Sequence, residues 1–445
     1  MSPEQRELEP PWPSARLAWF VVVLLWLAFS LLFIDRLVLA LLVEPIKADL
    51  GLTDTEIGFL QGFAFSLFYV VLGLPVGRLA DRYSRRMIIT SGMLIWSATT
   101  ALCGLTRSFS QLFLARAGVA VGEATLTPAA WSLIADYFPR EKLGRAIATY
   151  QSGAFVGAGI AFLTGGAVIA LVMNSHGISL PGFGLLKPWQ VTFLVIGIPG
   201  VLFALLMALI REPVRRGRAD GSAASQTVRA AIAYGWERAR LYGPHFIAFP
   251  LLTAPAVINA TWAPTYFSRV LGLPVPSAAR FLGLALLLAS PFGVYAAGRA
   301  VDYLHRRHVA DGTLRVSITA GVALLPCAVG ALWSGSLVQS QWVFPLLVLF
   351  STMPAAVAPT VLQLMTPNHL RGQMSAAYLI SLNLLAAGLA PTAVGFVTTH
   401  VLRDDLAVGR SMALVDVSAV AIGLALLLLR RRAFHGELSR QGAGT

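Results

Sequence analysis

The chain has 445 residues, 56% of them apolar and 12% charged, with a net charge of +13. A water-facing surface on a chain this long needs roughly twice that charge, so composition excludes a soluble multidomain protein and demands that much of the surface face lipid. The positive charge does not indicate nucleic acid, because the basic residues are dispersed through short loops between apolar runs rather than gathered in one patch.

A spanning helix needs about 20 predominantly apolar residues, and twelve such runs are found in chain order. Those of the first half are 18–43, 57–77, 87–106, 111–135, 146–171 and 191–210. Those of the second are 245–267, 279–301, 316–333, 342–364, 374–399 and 412–429. Helices are the expected spanning form, since lipid offers no partner for free backbone groups and the alternating segments of a β-barrel do not occur. The first run is too long for a cleaved signal peptide, and no small-residue cleavage site follows it. The fold expected is an all-α membrane protein of 12 transmembrane helices.

The stretch 211–242, rich in Arg, Gly, Ser and Ala, separates the runs six and six, and within it 226–240 has the pattern of a short amphipathic surface helix. The domain reading is therefore a six-helix bundle over 1–210, a linker over 211–243, and a second bundle with a short tail over 244–445. With the N-terminus inside, 25 basic residues fall in cytoplasmic segments, seven fall outside, and Arg36 and Arg116 lie within spans. That asymmetry makes both termini cytoplasmic. Arginine outnumbers lysine 31 to 3, a bias common in GC-rich bacterial genomes, so a bacterial inner membrane is the expected location. Cys103 and Cys327 sit in apolar runs and read as inert thiols.

The two halves echo one another. Gly77-Arg78-Leu79-Ala80-Asp81-Arg82-Tyr83-Ser84-Arg85-Arg86 follows span two, and Gly298-Arg299-Ala300-Val301-Asp302-Tyr303-Leu304-His305-Arg306-Arg307 follows span eight. A weaker pair joins Pro139 and Arg145 before span five to Pro367 and Arg371 before span eleven. Such a parallel repeat describes one major transporter architecture.

These motifs, with Arg116-Ala117-Gly118-Val119-Ala120-Val121-Gly122 in span four, resemble the major facilitator superfamily over essentially the whole chain. A narrower set resembles the spinster (Spns) branch: Ile34-Asp35-Arg36, Asp81-Arg82-Tyr83-Ser84-Arg85, Gly122-Glu123-Ala124 and Ile134-Ala135-Asp136-Tyr137-Phe138. The first resemblance implies two pseudo-symmetric six-helix bundles working by alternating access. The second implies a sphingosine-phosphate or lysophospholipid cargo.

Ionisable groups inside a span are costly and usually functional. Asp35 and Arg36 in span one and Arg116 in span four lie at similar depth, and Glu123, two turns from Arg116 on the same helix face, sits about 10 Å further on, near the midplane. The expectation is a charge network in which Asp35 pairs with Arg116 while Arg36 or Arg116 reaches Glu123, so that breaking a pair loads a proton and couples proton entry to cargo exit. The alternative is a static, satisfied ion quartet that locks the helices. Either arginine also suits an anionic headgroup, which a guanidinium binds through two nitrogens. Asn259, Trp262, Tyr266, Met353 and Gln363 are candidates for the cavity wall, although aromatics and methionines in such helices more often pack. Gly77, Asp81, Arg82, Arg85, Asp136, Arg145, Asp302 and Arg371 read as a cytoplasmic gate, with topology-setting arginines as the plainer alternative.

The partners expected are the bilayer, protons and an amphipathic anion, carried by a monomer. A small organic anion or drug on the same fold is the second reading. An intramembrane enzyme would need a nucleophile–base set or a metal cluster at mid-depth, and a sensor would need a larger soluble domain than the central loop allows. Neither is visible, and no metal or cofactor is expected.

Overall fold

The computed structural model describes residues 12–172, 177–180, 184–215, 221–309, 311–367 and 370–442. Among the described residues, ten helices are long and apolar enough to cross a membrane by length and composition. They correspond to every predicted span except three and four. Span three (Arg85–Cys103) carries serines, threonines and two arginines. Span four is broken into Phe109–Glu123 and Leu126–Tyr137. Pro128 lies four residues after Ala124 and has no N–H to return to its carbonyl, which explains the interruption. The twelve helices form two six-helix bundles. An even number of crossings leaves both chain ends on one side, called here the terminal side; the opposite side is the far side.

Large apolar residues line the outside of both bundles. Leu202, Leu209, Leu288 and Leu429 are exposed, as a lipid-facing surface requires. Inside, glycines let helices approach closely. Gly153 and Gly157 of span five lie against Trp26 and Ser30 of span one, and Gly118 and Gly122 of span four lie against Thr99 and Trp96 of span three. The amphipathic linker helix is present over Gly221–Glu237. It packs Gly235 toward Met374 of span eleven and exposes Ile232 and Trp236.

The far-side halves of spans two and eleven cross at contact distance. Both helices widen there into π-helical turns, Phe59–Phe63 and Asn383–Leu389. At Gly62 a Cβ would stand 2.4 Å from the carbonyl oxygen of Gly388, and at Gly395 it would stand 2.1 Å from that of Asp54. Thr392 Oγ1 donates to the carbonyl of Gly58 at 3.1 Å, and the Thr55 amide donates to Thr399 Oγ1 at 3.2 Å. The two bundles are thus sealed on the far side by glycine-lined backbone contact.

Candidate functional site

At mid-depth, span one brings Asp35 and Arg36 against the break in span four. Successive helix residues point about 100° apart, so the two side chains meet different neighbours. Arg36 Nη2 donates to Glu123 Oε2 at 2.6 Å and its Nε to the same oxygen at 3.1 Å. The guanidinium also lies over the Phe65 ring, 4.1 Å from its centroid, with Phe33 at 5.6 Å and Tyr69 at 5.8 Å. Glu123 is fully buried and Arg36 retains about a quarter of its side-chain exposure. Glu123 is the last residue of its helix segment, and discontinuous helices are where transporters place ion and substrate sites.

The expected Asp35–Arg116 ion pair is replaced by a different contact. Arg116 Nη1 donates to the backbone oxygen of Asp35 at 3.3 Å. Arg116 is 1% exposed, and its Nε and Nη2, like Glu123 Oε1, have no hydrogen-bond partner among the described residues. A buried arginine with two free N–H groups is costly unless an acceptor reaches it.

A cavity of ≈ 590 Å³ adjoins this cluster between spans two, four, ten and eleven. It extends from Tyr69 and Asn383 at mid-depth to Arg371 at the terminal-side start of span eleven, and much of its wall is apolar (Val70, Ala124, Pro128, Leu379, Ile380). Of the five residues expected on the cavity wall, Gln363 is there. Trp262 is fully buried and donates to the carbonyl of Pro391 at 2.9 Å, and the Tyr266 hydroxyl donates to Ala331 O at 3.0 Å. Both belong to second-half packing. Met353 packs at the edge of that core. Asn259 Nδ2 donates to Pro255 O at 2.7 Å and contacts Asp416 Oδ2 at 3.3 Å. Asp416 is fully buried and has no Lys or Arg within ion-pair distance among the described residues. It lies inside predicted span twelve, so the cost of a mid-span carboxyl was a legible signal that the list of embedded charges omitted.

The gate residues divide. Arg85 is 1% exposed and pairs with Asp136 and, at 2.8 Å, with Glu212. Arg85 and Asp136 belong to the first half, and Glu212 is the second residue of the linker that follows it. Arg145 lies over the Trp19 ring at 5.5 Å, Asp302 is exposed, and Arg371 donates from Nε to the carbonyls of Gln363 and Thr366. The side chains of Gly77, Asp81 and Arg82 lie outside the described residues. Asp311, paired with Arg315 and Arg431, braces the second half in the same way. Among the described residues, no terminal-side ion pair joins the two halves.

Glu212 was not anticipated, because it falls in the linker where a lone acid reads as solvated. Burial alone would raise its pKa. Hydrogen bonds from the Arg86 amide, the Arg85 side chain and the Ser84 hydroxyl, with the charge of Arg85, outweigh burial and hold the carboxyl below the usual glutamate range. A depressed pKa contributes stability above the ordinary value, and that contribution is lost as pH falls through the folded-state value. Glu212→Gln is therefore expected to lower the thermal unfolding midpoint by a few degrees at pH 7, on the order of 1–2 kcal/mol after discounting for partial exposure. The difference from wild type should shrink as pH falls below roughly 4. A midpoint difference that is constant from pH 8 to pH 4 would rule this out.

The far side is held by charges that do join the halves. Arg269 binds Asp54 through both terminal nitrogens, at 2.7 and 3.0 Å, and Glu44 at 2.7 Å. Lys47 reaches Asp54 at 3.0 Å and Asp405 at 2.6 Å. Asp54 is fully buried. The far side is closed by these charges, and the cavity lies on the terminal side.

The family model of the Major Facilitator Superfamily matches residues 24–391. The chain belongs to this superfamily. It is 31% identical over 320 residues to an MFS-type efflux pump of Mycolicibacterium smegmatis, covering 71% of this chain and 69% of that one. It is 26% identical to a probable L-galactonate transporter of Escherichia coli K12, over 64% of this chain and 61% of the relative. Protein spinster of Drosophila melanogaster is 28% identical over 46% of this chain and 32% of its own length. Among solved structures, a bacterial homologue of the lysosomal transporter Spinster, inward-facing and unoccupied, superposes with a TM-score of 0.77 at 24% identity, covering 96% of this chain and 98% of that one. That likeness establishes the fold. The protein is a multi-pass transporter of this superfamily and not an enzyme.

Proposed function

We propose that the protein is a proton-coupled carrier that moves an amphipathic anion, of sphingosine-phosphate or lysophospholipid type, by alternating access. The observation that carries this reading is the Arg36–Glu123 pair, buried at the break in span four beside a largely apolar cavity. When Glu123 takes a proton, Arg36 loses its counter-charge and is left facing the Tyr69 end of the cavity, able to bind an anionic headgroup. Arg116 and Asp35 complete the network. Arg116 offers two further N–H groups, and Asp35 supplies a second carboxyl at the same depth. The apolar part of the wall accommodates a chain.

The same reading makes the terminal side cytoplasmic in a bacterial inner membrane, as the distribution of basic residues favours. It also treats the bundles over 1–210 and 244–445 as rocking units in a monomer, joined by the 211–243 linker. Arg85, Asp136 and their neighbours Gly77, Asp81, Arg82 and Arg145, with Asp302, belong to a cytoplasmic gate that closes when the far-side charges part.

A second reading keeps the fold and replaces the lipid with a small organic anion, which the similarity to the L-galactonate transporter favours. A liposome flux panel of lysolipids, sphingosine phosphate and hydrophilic sugar acids at two pH values separates the two. Flux of the amphipathic anions, stimulated several-fold by an imposed pH gradient, is the expected result. Flux of the sugar acids alone would establish the second reading.

A further inference from the structure

We infer that Arg371 is a second anion-docking residue, placed at the mouth of the cavity to capture the charged group of the cargo before it reaches Arg36. The inference rests on the proposal that the cargo is an amphipathic anion, and it assigns to Arg371 a role other than gating.

Three observations carry it. First, among the described residues Arg371 is the one charged residue lining the cavity, and no Asp or Glu shares that lining. Arg371 is exposed at the cavity mouth and so can be reached by an anion arriving from solution. Second, its guanidinium is anchored at one edge only. Nε donates to the carbonyls of Gln363 and Thr366, both at 3.1 Å, and these hold the root of the side chain at the end of span ten. The terminal nitrogens make no hydrogen bond or ion pair with any described residue, so the edge that binds phosphate or carboxylate bidentately is free. Third, Trp131, also on the lining, has a buried indole N–H with no hydrogen-bond partner among the described residues. It lies on span four, six residues before the terminal-side end of Leu126–Tyr137, and so supplies a second donor near the level of Arg371.

Arg371 thus stands on the lining at the mouth and Arg36 lies beyond the Tyr69 end, with apolar wall between. Arg36 at the deep end is neutralised by Glu123, whereas Arg371 at the mouth is not. An incoming anion meets the uncompensated charge first, and its apolar part then contacts Val70, Pro128, Leu379 and Ile380. The selectivity expected of this station is for the negative charge itself, whether phosphate or carboxylate.

The test is equilibrium binding of dodecyl phosphate to the purified full-length protein in nanodiscs, with dodecanol as the uncharged probe of equal chain length. Wild type should bind the phosphate more tightly than the alcohol. Arg371→Gln should weaken dodecyl phosphate by about tenfold, the worth of one charge-assisted pair, and leave dodecanol unchanged. Arg371→Lys should restore most of the phosphate affinity, because the charge suffices for capture even where the carbonyl anchor is altered. Unchanged phosphate binding in Arg371→Gln, with wild type still preferring the phosphate, overturns the docking role and leaves the cargo reading intact. An equal loss of both probes makes Arg371 a brace for the turn between spans ten and eleven, and also overturns the role. A wild type that does not distinguish the phosphate from the alcohol removes the cargo reading itself, and the docking role with it.

Discussion

Glu123→Gln protein reconstituted in liposomes is expected to lose the component of cargo transport driven by a pH gradient, by about tenfold or more, while keeping passive exchange of cargo between equal concentrations. Glutamine fills the same space beside Arg36 and can still accept a hydrogen bond through its amide oxygen. It neither carries the charge that holds Arg36 nor takes up a proton. The free energy at stake is a coupling between two binding events, and couplings of this kind amount to roughly 5–150-fold. Asp35→Asn should show the same loss in smaller measure, since its carboxyl is not the partner of Arg36. The check is initial-rate flux with and without an imposed gradient. Both variants transporting at the wild-type rate with the wild-type pH response would leave the quartet as a structural lock and nothing more.

The second large effect concerns the far side. Asp54→Asn should drive the carrier toward the state open on that side. Asp54 is fully buried and takes two hydrogen bonds from Arg269 and an ion pair from Lys47. Removing its charge leaves two cations converging on an amide, and breaking a buried pair in this way costs roughly 3–5 kcal/mol. At 1.4 kcal/mol per decade that shifts the population between the two states by about a hundredfold or more. Every other pairing of Arg269 is to residues at least partly exposed, so little compensates. Spin labels on exposed positions Ser110 and Leu406, one on each half, should report a longer inter-label distance in Asp54→Asn than in wild type. An unchanged distance distribution would mean that the glycine contact of spans two and eleven closes this side without the ions.

The architecture was legible because its cause is one-dimensional. Lipid requires about 20 apolar residues per crossing, and each crossing leaves a run in the sequence. The break in span four was less visible, although Pro128 marks it. The core of the site was legible for the same reason in reverse: Arg36 and Glu123 stand out as charges where apolar residues belong. What the sequence could not settle is which neighbour each charge meets. Asp35 and Arg36 are adjacent, and a rotation of one residue decides which of them faces Glu123. The far-side cluster was hidden for a different reason. Arg269 and Asp54 are 215 residues apart, and each lies near a loop, where a charge reads as ordinary surface. Its burial is a product of the two halves closing on each other. Trp262 and Tyr266 show the opposite case, aromatics that could line a cavity and instead pack with their polar atoms satisfied by carbonyls.

The central claim is that cargo and protons move in linked steps through the Arg36–Glu123 pair. Its most direct measurement is simultaneous recording of cargo flux and internal pH in liposomes carrying the wild-type protein, with no pH gradient imposed and a cargo gradient as the sole driving force. Cargo movement alone should shift the internal pH, and the shift should disappear in Glu123→Gln. Cargo flux of full rate with a flat pH trace would contradict it.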